Sequence, residues 1–249
     1  MKPTIQNNAP KAIAFFDLDR TLIAPNSAII YAKYERKYGR INSLQLLRTG
    51  FWMALYHLSI LDMEKAIGKT IGFYAGTNQN MMRNNVKSFF DEEIDHLLLP
   101  GAKDAIENHK KQGHKIVIIT NGSCWLAEAA AAAWGFDDWI ANSFRTDEQD
   151  QLDGTYHKPL VYGSGKVIKA MEWLKDYKID LDDCWFYTDS FTDLPLLEAV
   201  GHPRVVNPDP RLKRLSKKRN WPIYYWNNSF NNKYRKKFAR HHELKLGAN

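Results

Sequence analysis

Phe15-Phe16-Asp17-Leu18-Asp19-Arg20-Thr21-Leu22 is the stretch on which the reading of this 249-residue chain turns. An apolar run over residues 11–17 predicts a strand that delivers two carboxylates, one residue apart, to its end. Alternate strand residues share a face, so Asp17 and Asp19 converge just beyond the carboxyl end. Two close carboxylates repel, and a hard cation such as Mg²⁺, which prefers carboxylate and water oxygens, would relieve the repulsion. An Asx-type turn or helix cap, with Asp19 bonding a backbone N–H and Asp17 solvated, accounts for the same residues. Taken alone, the stretch leaves both readings standing.

Outward from it, the pattern changes twice. Between Asn26 and Leu98 helical periodicity dominates, with helices expected over 28–38, 44–61, 63–74 and 81–97 and breaks at Gly39 and Gly76. This block reads as an insertion. After Pro100-Gly101, helices and strands alternate: helix 102–112, strand 115–119, helix 125–134, strand 139–144, helix 167–177, strand 184–188, helix 194–200, and short strands at 204–206 and 223–226. Such alternation predicts an α/β fold, a Rossmann-like doubly wound parallel sheet covered on both faces, with an inserted helical cap. The domain reading is a core over residues 1–24 and 99–226, a cap over 25–98 and a basic tail over 227–249.

In open parallel sheets, ligands bind outside the carboxyl ends of the strands. The second apolar run ends in Thr120-Asn121-Gly122-Ser123, which offers a hydroxyl, an amide and backbone N–H groups to an anion, or an ordinary helix cap at Ser123 or Asn121. A later run ends in Asp189-Ser190-Phe191-Thr192-Asp193, where Asp189 stands at a strand tip as a third metal-facing carboxylate and Asp193 could cap the next helix. Between them lies Gly163-Ser164-Gly165-Lys166. Its glycines permit close backbone approach, which favours Lys166 over Lys158-Pro159 as the phosphate-neutralising cation.

Composition bounds the rest. The excess of 35 Lys and Arg over 28 Asp and Glu gives a formal +7 and favours anionic ligands or surfaces. Much of it falls late, at Lys213, Arg214, Lys217, Lys218 and Arg219, and again at Lys233, Arg235, Lys236, Lys237 and Arg240, interleaved with Tyr234 and Phe238. A solvated face or tail is the plain reading, with at most weak contact to an anionic membrane and no obligate nucleic acid. Cys124 and Cys184 make neither a disulfide framework nor a Cys-rich zinc site, so a cytoplasmic setting is expected. The first eleven residues lack a secretory h-region, and residues 51–61, the greasiest span, fall short of the roughly 20 needed to cross a bilayer.

In their order and spacing, Phe16-Asp17-Leu18-Asp19-Arg20-Thr21, Ile118-Ile119-Thr120-Asn121, Gly163-Ser164-Gly165-Lys166 and Asp189-Ser190-Phe191-Thr192-Asp193-Leu194-Pro195 resemble the four motifs of the haloacid dehalogenase superfamily. The resemblance is specifically to its phosphoserine-phosphatase-like branch and runs from about Ala12 to Trp221. It implies a Mg²⁺-dependent phosphomonoesterase in which Asp17 is the nucleophile, forming an aspartyl-phosphate, and Asp19 is the general acid and base. It further implies that Asp17, the Asp19 carbonyl and Asp189 hold Mg²⁺, with Asp193 supporting its waters or Lys166, and that Thr120, the Asn121 backbone and Lys166 bind the phosphoryl oxygens. The implied substrate is a small phosphate monoester of the phosphoserine or histidinol-phosphate kind, or a lysophospholipid. A phosphotransferase, or a non-catalytic protein binding phosphate or an anionic surface, is the alternative. Arg20 replaces the glycine common in the first motif, and Thr192 replaces an asparagine, so no phosphate role passes to Thr192. Substrate contacts are sought at Arg20, Asn26, Ser27 and Arg48, with Lys33 and Arg36 reading more simply as solvated and Phe51, Trp52, Tyr56 and Phe73 as packing.

Overall fold

In the computed structural model, residues 10–41 and 63–226 are described. The strand under the opening stretch, β1 (Ile13–Phe16), has all four residues buried, as expected of a strand covered on both faces. It pairs in parallel with β2 (Lys115–Ser123) on one side and β6 (Cys184–Thr188) on the other. With β3 (Asp138–Asn142), β7 (His202–Val206) and β8 (Ile223–Tyr224), these form a six-stranded parallel sheet of order β3-β2-β1-β6-β7-β8. Strand order reverses at β1, which places the ligand crevice at its carboxyl end.

Alternation along β1 builds two cores. Ala14 and Phe16 face one layer with Ile116, Ile118 and Tyr187, roofed by Ala102 and Ile106 of α4 (Pro100–Lys111), Ala127 and Ala130 of α5 (Cys124–Trp134) and Met82 and Phe89 of the cap. Ile13 and Phe15 face the other with Val117, Ile119 and Phe186, covered by Ala170 of α6 (Ser164–Leu174), Leu196 of α7 (Leu194–Ala199) and Leu212 of α8 (Pro210–Lys218). The sheet is thus wound on both faces, as predicted.

The described cap helices are α1 (Ser27–Lys37), α2 (Met63–Gly72) and α3 (Gln79–Phe89). The helix expected over 44–61, and Arg48 with it, lies outside the described residues. The helix expected over 81–97 starts earlier and changes winding, passing from α3 into a π turn (Phe90–Ile94) and a 3₁₀ turn (Asp95–Leu97). The strand expected over 139–144 is two strands. β3 ends at Asn142, and β4 (Phe144–Thr146) turns away to pair antiparallel with β5 (Leu152–Tyr156). Asp153 and Gly154 weakened the strand signal of β5. The cap braces its start: Gly76 N donates to Leu152 O (2.8 Å), Leu152 N to Thr77 O (2.9 Å) and Gln79 N to Asp150 O (2.9 Å). The basic group at 213–219 is the solvated face of a helix, α8, for which Asp209-Pro210 is a start signal. The Asp209 carboxylate caps Arg211 N and Leu212 N, and Pro210 needs no partner at the first position.

Candidate active site

One rung past β1, Asp17 N still donates to Tyr187 O at 2.9 Å, so the ladder itself fixes the Asp17 backbone at the sheet's carboxyl edge. Lys166 meets it from the first turn of α6. The Lys166 ammonium lies 2.7 Å from Asp17 Oδ1 and 2.7 Å from Asp193 Oδ2, with 1 % of the lysine exposed. It also sits 5.4 Å from the Phe186 ring centroid. Two glycines make this placement feasible: Gly163 adopts φ +54°, and a Cβ on Gly165 would sit 1.9 Å from Leu160 O. Lys158, the competing lysine, is exposed.

Asp193 starts α7 without capping it by its side chain. Instead its Oδ2 takes both the Lys166 ammonium and the Thr188 hydroxyl, the latter at 2.6 Å. Asp19 Oδ1 accepts from Ser27 N at 2.6 Å, a bond across the loop to the start of α1 and not a local turn. Asp189 is buried at the tip of β6, its carbonyl accepting from Asp209 N at 2.9 Å. On the anion side, Thr120 is buried and its Oγ1 accepts from Gly122 N (3.0 Å), while Ser123 caps α5 at Leu126 N (3.3 Å).

Burial governs the protonation of these groups. It pushes the Asp17 carboxyl up to about 7 against the pull of Lys166. It raises Asp19 against the Ser27 N–H, and it raises Asp189 well above the ordinary range, with the charges of Asp17 and Asp193 adding to the effect. Burial alone would strip the proton from Lys166, but Asp17 and Asp193 hold it on more firmly than in water. Desolvation thus raises the proton affinity of Asp17 and Asp19 alike.

Asp17 and Asp193 share the Lys166 ammonium, and Asp189 is buried near enough to both for their charges to bear on it. Among the described residues no three His, Cys, Asp or Glu side chains are grouped so as to hold a metal ion among themselves. Mg²⁺ does not demand such a group, since it binds through one or two carboxylates and keeps several waters. The donor set of Asp17, Asp189 and the Asp19 carbonyl therefore fits that ion.

The cap-side candidates divide. Ser27 is buried beside Asp19. Asn26 spends its side-chain oxygen on capping α1 at Ala28 N and Ile29 N. Arg20, half-buried with φ +58°, is held by Arg20 N to Pro25 O (3.3 Å) and by Asn207 Nδ2 to Arg20 O (3.4 Å), and its charge bears on Asp19 and Asp189. Thr188 and Asp209 are not among the site residues expected from the sequence. Asp209 accepts from Phe191 N at 2.6 Å and so braces the loop between Asp189 and Asp193. Its place before Pro210 was the available signal, whereas nothing local distinguishes Thr188.

The fold and the strand-end cluster define a hydrolase of known type: residues 14–198 match the haloacid dehalogenase-like hydrolase family, and the chain belongs to it. Among its relatives is a probable phosphatase of Mycobacterium tuberculosis, 31% identical over 223 residues that cover 86% of this chain and 76% of the relative. A histidinol-phosphatase of Neisseria meningitidis is 24% identical over 217 residues, covering 86% of this chain and 98% of the other. A substrate-bound phosphoserine phosphatase shares the fold at a TM-score of 0.63 with 16% identity, covering 90% of this chain and 98% of that one. Among the described residues no helix is long and apolar enough to cross a membrane.

Proposed function

We propose that this chain is a Mg²⁺-dependent phosphomonoesterase acting on a small organic phosphate through an aspartyl-phosphate, with the core over residues 1–24 and 99–226 and the cap over 25–98. The observation that carries this is the buried Asp17 carboxylate, tied at 2.7 Å to Lys166 and followed two residues on by a second, separately anchored carboxylate. Asp17 attacks phosphorus: an Oδ–P bond forms as the bond to the leaving oxygen breaks. Asp19 gives that oxygen its proton, then takes one from the water that attacks the same phosphorus and releases phosphate. Lys166, the Thr120 hydroxyl and the loop N–H groups around Asn121 face the phosphoryl oxygens and stabilise their developing charge. Mg²⁺, held by Asp17, Asp189 and the Asp19 carbonyl, would supply further charge neutralisation.

Phosphoserine- and histidinol-phosphate-like monoesters and lysophospholipids are the substrates to screen, because relatives bear the first two names and the cap governs choice among leaving groups. The test is phosphate release from a Mg²⁺-supplemented panel. Activity lost in Asp17→Asn and an acyl-phosphate trapped on the active protein are expected; full turnover by purified D17N overturns the nucleophile assignment.

A second reading concerns the basic end. Residues 210–249 hold twelve Lys and Arg and one acid, Glu243, whereas residues 1–209 hold 23 Lys and Arg and 27 acids. Lys213, Arg214, Lys217 and Lys218 stand exposed on α8, with Leu212 and Ser216 turned inward. Weak, salt-sensitive binding to anionic vesicles but not zwitterionic ones is the expected outcome. Equal binding to both would remove this reading and leave the phosphatase untouched.

A further inference from the structure

A buried side chain that the proposed reaction does not use stands behind the phosphate loop. Asn142, the last residue of β3, is 2 % exposed, and both ends of its amide are engaged. Its Nδ2 donates to the main-chain oxygen of Asn121 at 2.7 Å and to Asn121 Oδ1 at 3.0 Å. Its Oδ1 accepts from Val161 N at 2.8 Å. This amide orientation follows from the partners, since a carbonyl needs a donor and an N–H an acceptor.

Each bond leads to a group placed at the phosphate. The Asn121 carbonyl and the Gly122 N–H belong to one planar peptide, so pinning the first aims the second in the opposite direction. Gly122 N donates to Thr120 Oγ1 at 3.0 Å. A hydroxyl that accepts there still has its own O–H to donate, the polarity a phosphoryl oxygen requires. The same bond also keeps carbonyl lone pairs off the incoming anion. At the other end, Val161 opens the turn that sets Lys166: Tyr162 N donates to Leu160 O (2.8 Å), Gly165 N to Tyr162 O (2.9 Å) and Lys166 N to Gly163 O (3.1 Å). One primary amide therefore sets the spacing between the Thr120 loop and the Lys166 turn.

We propose that Asn142 is a positioning residue of the phosphate site, acting through Asn121 on Thr120 and through Val161 on Lys166. The proposal rests on the phosphatase reading. Asn142→Asp separates the two arms, because a carboxylate still accepts from Val161 N but has no proton for the Asn121 carbonyl; Asn142→Ala removes both. Trp173→Phe is the structural control: it deletes the 2.8 Å bond from Trp173 Nε1 to Asp138 Oδ2, at the opposite end of β3.

The experiment measures orthophosphate binding to the full chain with Mg²⁺ by calorimetry, kcat and KM on the best monoester, and thermal melts. N142D and N142A are expected to bind orthophosphate about tenfold more weakly or worse, with kcat/KM falling in parallel. W173F is expected to lose melting temperature while keeping wild-type phosphate affinity. Where N142D and N142A do not fold, Asn142→Ser, whose hydroxyl is too short to span to Asn121, carries the same expectation. A folded Asn142 variant with wild-type orthophosphate affinity overturns the role of Asn142 alone. A wild-type protein that binds no orthophosphate overturns the phosphatase reading and this role together.

Discussion

Two buried polar clusters sit on one sheet, and they answer the cost of burial in opposite ways. At the carboxyl ends of β1 and β6, Lys166, Asp17 and Asp193 bring charge inside and pair it at 2.7 Å. Under α4, toward the amino ends, polar rings pack on one another. His109 Nδ1 meets His114 Nδ1 at 2.9 Å, which requires one protonated and one bare nitrogen, and His109 Nε2 meets the Tyr187 hydroxyl at 2.9 Å. His202 stacks on Trp185 at 3.9 Å, and Trp185 also lies against His114. Burial, with the charges of His114, Arg204 and His202 adding to it, pushes His109 down to about 4. Tyr187 touches both clusters, its carbonyl taking Asp17 N and its hydroxyl His109. Both regions suffer desolvation; the strand-tip region answers it with opposite charges paired at 2.7 Å, and that is where the proposed phosphoryl chemistry lies.

The contrast can be broken most decisively at Asp17. Asp17→Asn should cost roughly 10³-fold or more in phosphate release while the chain stays folded, as read by steady-state kinetics beside circular dichroism. Next comes Lys166→Met, which leaves Asp17 and Asp193 buried with no cation between them. Urea unfolding should show about 3–5 kcal/mol of lost stability, and a loss under 1 kcal/mol would mean that the ammonium is not holding the cluster.

The histidine region predicts a pH effect of definite sign. With its folded value near 4 against an ordinary 6.5, His109 binds its proton more readily in the unfolded chain. Stability is therefore lost as pH falls from about 6.5 toward 4 and levels off below, by at most about 3 kcal/mol. His109→Phe should flatten that part of the curve; a wild-type-minus-variant difference that does not change with pH would refute the assignment. The smallest effect is expected from Tyr187→Phe, which deletes the hydroxyl partner of His109 for about 1 kcal/mol and leaves kcat/KM as it was.

Legibility along the chain followed the range of the interactions. β1 and β6 could be read because a strand buried on both faces is apolar throughout, and the carboxylates that close them break that run abruptly. β5 could not, since Asp153 and Gly154 make a poor strand for β4 to pair with, and residues 76–79, which brace its start, lie far off in the chain. Asn26 caps α1 with its side chain, a role that its position before the helix already allows. Arg20 remains the cap-side candidate whose charge reaches the carboxylates.

By itself the sequence determined the alternation of strand and helix, the order of the four motifs and hence the family, because periodicity and strand-end residues are local properties. Tertiary structure decided which side chains act on one another. Lys166 and Asp17 are 149 residues apart and meet through the α6 turn. Asp193 serves the lysine and not its own helix, and Asn142 joins two loops that no spacing relates. Buried polar groups must find partners wherever the fold brings them, and that demand is met in space and not along the chain.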